Sequence, residues 1–254
     1  MAMHICACVK RVPLTGGRIT LTEDEQAILT KHLGFTVSPH EECAVEEAVR
    51  IVEREGGSVT VLTLGPPEAE EQLRDMMAIG AGRAIHLLSG SKEWDPQATA
   101  SAIVQAITSD EQAYDLLLFG NESADAGNYQ VPIRVAHALG WPCVTAVKAI
   151  SHEGEHLICE QEVPGGRDVY ELSLPAVVSV KEGINLPRYP SVPGRLRAKR
   201  QPIVSLAPER PAPRLEMVRL MLPPDSGKQV QVLGHGAEAA PAIVEVLGEL
   251  GVLP

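Results

Sequence analysis

Short apolar runs alternate along the chain with stretches in which apolar residues recur every three or four positions, the rhythm of strands feeding helices in βαβ units. "MHICACV" predicts a first strand, "SVTVLTLG" (58–65) a second, "RAIHLL" a third and "YDLLLFG" (114–120) a fourth, too apolar for a sheet edge. The strongest helix signal is "SPHEECAVEEAVRIVEREGG". It puts Ser38 at the N-cap, Pro39 at the first helical position and Glu41 three residues after the cap, and it stops at Gly56 and Gly57. "PPEAEEQLRDMMAIGA" and "DPQATASAIVQAIT" (95–108, capped by Asp95) follow as helices, then residues 128–139, where Pro132 is tolerable only near the first turn. "KRVPLTGGRITLTEDEQAI" reads as a loop with a short hairpin, leading into a weak helical stretch around Ile28 to His32. From Val144 the pattern becomes successive strands, with a hairpin turn at Pro164 to Arg167. The expected fold is α/β: a Rossmann-like doubly wound parallel sheet with an antiparallel hairpin addition. Six prolines lie between Gln201 and Pro224, and "EAAPAIVEVLGELG" forms a short final helix. Residues 1–200 are therefore expected as one domain and 201–254 as a Pro-rich C-terminal arm.

Composition narrows the function classes. Aromatic residues make up only 3% of the 254, so the core must rest on Val, Ile, Leu and Ala. A net charge of -11 repels polyanions and argues against a chain-wide nucleic-acid or anionic-membrane surface. Against that background "NLPRYPSVPGRLRAKR" (185–200) holds five basic residues, three prolines and no acid; charge runs of this kind are usually solvated. The five cysteines are an odd number without a C-x-x-C pair, and no histidine cluster completes a metal site. No presequence and no stretch of membrane-spanning length is apparent, so a soluble, cytoplasmic protein is expected.

In a doubly wound sheet, ligands bind beyond the carboxyl ends of the strands. Three predicted loops lie there: Cys8-Val9-Lys10, Thr63 to Pro66, and Gly120-Asn121 followed by Asp125 to Gln130. Gly120 and Gly127 permit close backbone approach, and the amides opening the helix near Asn128 to Val131 suit a phosphate. Asp125, Asn128 and Gln130 offer polar groups for a ribose or phosphate ester. The plainer alternatives stay open: turn glycines, an Asx-turn at Asp125, and a solvated strand end at Lys10 and Arg11. There is no G-x-x-x-x-G-K-[ST] loop, no G-x-G-x-x-G after the first strand and no G-x-S-x-G elbow. Glu46 and Glu47 adjoin and face different directions, a poor acid–base pair. No catalytic residue set emerges.

The motifs "CACVKRVP", "SPHEECAVEEAVRI", "VTVLTLGPPEAEEQLRDMMAIGAGRAIHL", "LLLFGNESADAGNYQVPIRVAHALGWPCVT" and "EVPGGRDVYELSLPAVVSVKEGINLPRYPSVPGRLRAKRQPI", in this order over residues 3 to 203, resemble the beta subunit of electron-transfer flavoproteins. The A-V-E-E-A stretch (44–48) and the segment 175–199 are the most specific. The resemblance implies a heterodimer with an alpha subunit that holds most of an FAD, and a beta subunit that binds AMP, or a second FAD in electron-bifurcating members. It further implies flavin dehydrogenases and a downstream acceptor, such as a quinone oxidoreductase, as partners. It assigns Cys8, Ser38, Glu41, Leu64, Gly65, Asn121, Asp125, Asn128, Tyr129, Gln130 and Val131 to the adenine nucleotide, and Thr15 and His40 to the side facing the alpha-bound FAD. Family members often carry Asn at the position of Ser38 and an aromatic at that of His40.

The family's nucleotide loop usually reads G-[KR]-Q-A-I-D followed by D-D or G-D-T, whereas this chain has "GNESADAGNYQV". Replacing a base and adding Glu122 weakens phosphate attraction. Gln130-Val131 leans toward the bifurcating branch while the missing G-D-T argues against it, which leaves AMP or FAD open. By the same resemblance Val192 is the apolar side chain of a dehydrogenase-docking loop, its prolines lowering the docking entropy. The basic run Arg195, Arg197, Lys199 and Arg200 steers acidic partners or pairs with the alpha subunit. A rival from another class is a stand-alone nucleotide-binding regulatory protein of the universal-stress type, which predicts homodimers, bound ATP and no flavin.

Overall fold

The computed structural model describes residues 2–14, 16, 19–90, 93–154, 156–224 and 231–253. They fall into two compact units, Met1–Val218 and Arg219–Pro254. In the first, strands β1 (Met3–Cys8), β4 (Gly57–Gly65), β5 (Arg83–Leu88), β6 (Leu116–Gly120), β7 (Cys143–Glu153), β8 (His156–Val163), β9 (Gly166–Ser173), β10 (Ala176–Val180) and β11 (Ile203–Leu206) build one nine-stranded sheet. Its order is β11-β5-β4-β1-β6-β10-β7-β8-β9, parallel from β11 to β7 and antiparallel through the β8–β9 hairpin. The chain steps from β1 outward to β4 and β5, then returns to lay β6 on the other side of β1. That reversal is the topological switch point.

Side-chain alternation splits the core between the two faces. Ile5, Ala7, Leu116 and Leu118 pack with residues of α1 (Pro39–Glu55) and α2 (Glu70–Ile79). Their neighbours Cys6, Cys8, Leu117 and Phe119 pack on the other face with α3 (Pro96–Ser109) and α4 (Val131–Leu139). Cys6 and Cys8, two residues apart on one strand face, are core thiols, buried and free of disulfides. β2 (Arg11–Pro13) and β3 (Phe35–Val37) form a small antiparallel ladder.

Three expectations need correction. No helix forms at Ile28 to His32: Ile28 bridges Leu21 across a turn in which the Asp24 carboxylate accepts from the Thr22 hydroxyl and the Gln26 amide. Local turn chemistry outcompetes a weak helical periodicity there. Residues Val192–Arg200, expected as part of a docking loop, form helix α5. Ser191 caps it through a bond from the Gly194 amide (3.1 Å), and Pro193 occupies the first turn, where a missing N–H is harmless. Finally, the core does not stop at 200. Ile203–Leu206 pairs in parallel with β5 as the sheet's outermost strand, and the first unit runs on to Val218. A four-residue strand flanked by Pro202 and Pro208 suits such an edge.

The second unit contains one α-helix among its described residues, α6 (Ala240–Glu249), preceded by a 3₁₀ turn. No helix among the described residues is long and apolar enough to cross a membrane.

Candidate functional site

Beyond the carboxyl ends of β1, β4 and β6 lies a cavity of about 340 Å³, a size within the range of small-molecule sites. Cys8, Leu62, Leu64, Ile103, Phe119 and Val131 give it apolar walls, while Lys10, Glu41, Glu93, Glu122 and Asp125 supply charge. The close seating of α1 against β6 depends on Gly120. A Cβ there would come within 2.6 Å of Glu41 Cγ and 2.8 Å of Glu41 N, which no ordinary packing accommodates.

Glu41 therefore enters the cavity wall from the first turn of α1. Its Oε2 accepts from the Lys10 amide (3.0 Å) and reaches back to the Ser38 amide (3.3 Å), the capping box expected at this helix start. Burial pushes the Glu41 carboxyl up to about 8, outweighing these two donors and the nearby Lys10 charge. Both amides converge on one oxygen, so the neutral acid retains Oε1 as its hydroxyl. Lys10 is gripped from two loops: its Nζ lies 2.7 Å from Asp125 Oδ2 and 2.6 Å from Glu93 Oε1. Burial alone would lower the ammonium's pKa; Glu93 and Asp125 outweigh it and raise it. Conversely, burial works against the Asp125 anion, but Lys10 prevails and holds that carboxyl below its usual range. Burial beside Cys6 lifts the Cys8 thiol well above the ordinary value, which makes it a wall and not a nucleophile.

The sequence-assigned residues Cys8, Glu41, Leu64, Gly65, Asn121, Asp125, Asn128, Tyr129, Gln130 and Val131 all line this cavity. Tyr129 adopts a left-handed backbone (φ 56°), turning the loop into α4. Gln130 precedes α4 without capping it, because its Oε1 is engaged by the Arg134 guanidinium (2.9 Å). The first-turn amides of α4 thus have no side-chain cap. Asn121 is committed differently: its Oδ1 accepts from Ala146 N (3.0 Å) and Ser179 Oγ (3.2 Å), fixing the irregularity in β7. Ser38 is fully buried and outside the cavity lining; its Oγ accepts from the Ala124 amide (2.9 Å) and so pins the 121–127 turn. His40 also lies off the lining. Its Nδ1 accepts from the Glu182 amide (3.0 Å) and its Nε2 faces Glu122 at 3.4 Å, fixing the tautomer protonated on Nε2. Thr15 lies outside the described residues.

Lys10, expected in a switch-point loop with a solvated strand end as the plainer alternative, lines the cavity, and so does a wall of Glu93, Trp94 and Pro96 that no sequence motif announces. The Lys10–Glu93 contact spans 83 positions, and no local pattern encodes such a pairing. The only sequence signal was the Asp95 cap, which marks where that wall turns into α3.

The 185–200 segment stands apart from this cavity. Asn185 Nδ2 donates to Glu47 Oε2 (2.9 Å) and to the Cys43 carbonyl (3.0 Å), and Arg188 binds Glu46 through its amide and guanidinium. Arg188 also takes Glu53 at 2.6 Å. The two most specific sequence motifs are thus the two halves of one junction on α1. Beyond it, Gly194 lets α5 lie close to the Ala78 carbonyl at the end of α2, since a Cβ there would sit 2.5 Å from that oxygen. Val192 (73% exposed), Arg195, Arg197, Lys199 and Arg200 all face solvent.

Comparison with known proteins agrees with this arrangement. Residues 27–211 match the family model of the electron transfer flavoprotein domain. The electron transfer flavoprotein subunit beta of Bacillus subtilis (strain 168) is 33% identical, over 84% of this chain and 86% of its own. That of Syntrophomonas wolfei is 32% identical, over 91% and 90%. The caffeyl-CoA reductase-Etf complex subunit CarD of Acetobacterium woodii is 31% identical, over 99% and 100%. With a sheet, a switch-point cavity and an α1 junction that account for its motifs, the chain belongs to the electron transfer flavoprotein family and aligns with its beta subunits.

Proposed function

We propose that this chain pairs with an alpha subunit to carry electrons through an FAD shared between them, and that its own cavity holds an adenine nucleotide. The observation that carries this reading is the meeting of Cys8, Glu41, Leu64, Asp125 and Tyr129–Val131 around one space at the switch point. The apolar walls suit an adenine ring, the polar loop 121–130 suits a ribose, and the uncapped first turn of α4 suits a phosphate. Glu93 and Asp125 already occupy Lys10, and Glu122 adds negative charge. That balance favours one phosphate over a pyrophosphate, hence AMP over a second FAD. FAD supplies the redox chemistry when bound; this chain's residues position, shield and recognise.

Partner recognition follows from the exposed elements. Val192 and the basic α5 are displayed from the Arg188 anchor, in keeping with docking of an acidic flavin dehydrogenase. In the second unit, α6 and the residues after it expose Val244, Leu250 and Val252 to solvent, an apolar surface suited to burial on the alpha subunit. A stand-alone regulatory homodimer would leave both features without a purpose. The test is to purify the chain co-expressed with its alpha subunit, release the bound small molecules and quantify them. One FAD and one AMP per heterodimer is the expected result; two FAD and no AMP would replace the AMP assignment with a second flavin, and no flavin would overturn the reading.

A further inference from the structure

Past β11 the chain does not leave the first unit at once. Residues 207–218, without regular secondary structure, are fastened at three points. The Arg210 guanidinium donates to the Glu93 carbonyl (2.9 Å), the Arg214 amide donates to Asp95 Oδ2 (3.0 Å), and Gln26 Nε2 donates to the Val218 carbonyl (2.9 Å). The first two points fall on the segment Glu93 to Pro96, from which Glu93, Trp94 and Pro96 form one wall of the cavity.

The Trp94 side of that wall rests on the core, its indole N–H on the Ser89 carbonyl, but the Glu93 end has no such seat. The Glu93 side chain is 69% exposed, and its carboxylate's partner is Lys10. The same ammonium grips Asp125 on the facing loop, so contacts run without a break from Arg210 through Glu93 and Lys10 to Asp125. Asp95 serves two masters: Oδ1 caps α3 through the Ala98 amide (2.8 Å), and Oδ2 takes Arg214. Burial opposes the Asp95 anion, yet the amides of Ala98 and Arg214 outweigh it and keep the carboxyl below its ordinary range.

We infer that the strap 207–218 is a positioning element of the cavity: by holding Glu93 to Pro96 against Lys10 it links its own seating to retention of the bound ligand. Linkage is reciprocal, so a ligand that needs the wall in place must also tighten the strap. The strap ends where the second unit begins. The inference rests on the adenine-nucleotide reading of the cavity for the ligand; the strap-to-wall linkage itself does not.

Arg214→Pro tests it cleanly in the full-length chain co-purified with its alpha subunit. The substitution removes the amide donor together with the exposed Arg214 side chain, a loss that Arg214→Ala controls for; it leaves Asp95 to cap α3 and falls in a stretch where Pro211 and Pro213 already set the backbone. The dissociation rate of AMP should rise roughly five- to tenfold, the scale of one ordinary intramolecular hydrogen bond. Arg210→Ala should raise it less, with Arg210→Lys restoring it. A second readout needs no nucleotide. The chain has two tryptophans, and Trp94 is buried in the wall with its indole N–H on the Ser89 carbonyl. In a Trp141→Phe background, Arg214→Pro should shift Trp94 emission to the red and increase its quenching by acrylamide. Unchanged AMP release, with AMP bound, overturns the inference. Should the unaltered complex bind no AMP, the nucleotide reading fails, and Trp94 then decides the linkage alone: a red shift upholds it and an unmoved spectrum ends it.

Discussion

Among the buried glutamates of helix α1, Glu41 and Glu46 diverge in chemistry. Glu41 meets amide donors and a lysine already claimed by other carboxylates, and burial lifts it to about 8. Burial penalises Glu46 too, but Arg188 and Arg50 overcome it and hold that carboxyl below its usual range. Same residue type, same helix, similar seclusion: the partner decides the charge. Glu46 is a fixed anion that bolts the 185–190 segment to the sheet's helix layer. Glu41 is a proton-bearing wall of the cavity.

Breaking that contrast at its strongest point means removing Glu46. Glu46→Ala removes the carboxylate that Arg188 and Arg50 share, leaving them Glu53 and the Leu186 carbonyl, and should cost about 3–4 kcal/mol in denaturant melts, with faster tryptic cleavage after Arg188. A smaller effect, up to about 3 kcal/mol, distinguishes Glu41 by pH. An unfolded Glu loses its proton near 4.5 and the folded one near 8, so between those values folding retains a proton the unfolded chain has released, and stability falls as pH rises. Glu41→Gln should flatten that slope in denaturant midpoints measured from pH 5 to 8. Glu46 runs the other way: its contribution is present above the ordinary carboxylate range and fades as pH falls through and below it. The smallest change is Gly120→Ala. Its Cβ would press on Glu41 Cγ, forcing α1 off β6 for about 1–2 kcal/mol. An unchanged midpoint would mean that α1 yields more easily than this packing implies.

Most of the fold was legible in sequence because its signals are local. Ser38, Pro39 and Glu41 mark the start of α1, Asp95 that of α3, and the alternating runs at residues 5–8 and 116–119 carry both faces of the sheet. Prolines are ambiguous signals, because their position in a turn matters more than their presence: Pro193 lies in the first turn of α5 and Pro202 precedes β11. The cavity's loops were legible from the switch-point rule. Its electrostatics were not, because Lys10 meets Glu93 and Asp125, and Arg188 meets Glu46, across long stretches of chain. Periodicity reports which face a residue occupies and not which distant residue it will find there.

The nine-stranded sheet ends in two strands with open backbone edges, β11 and β9. Such edges are templates for unwanted pairing between molecules. β11 limits the hazard by its length of four residues. β9 is eight residues long and exposed nearly throughout, with Val169 and Tyr170 at its centre, and it relies on Arg167, Asp168 and Glu171 instead. Charges so placed act as gatekeepers, because stacking two such edges in register would bring like charges together and strip them of water.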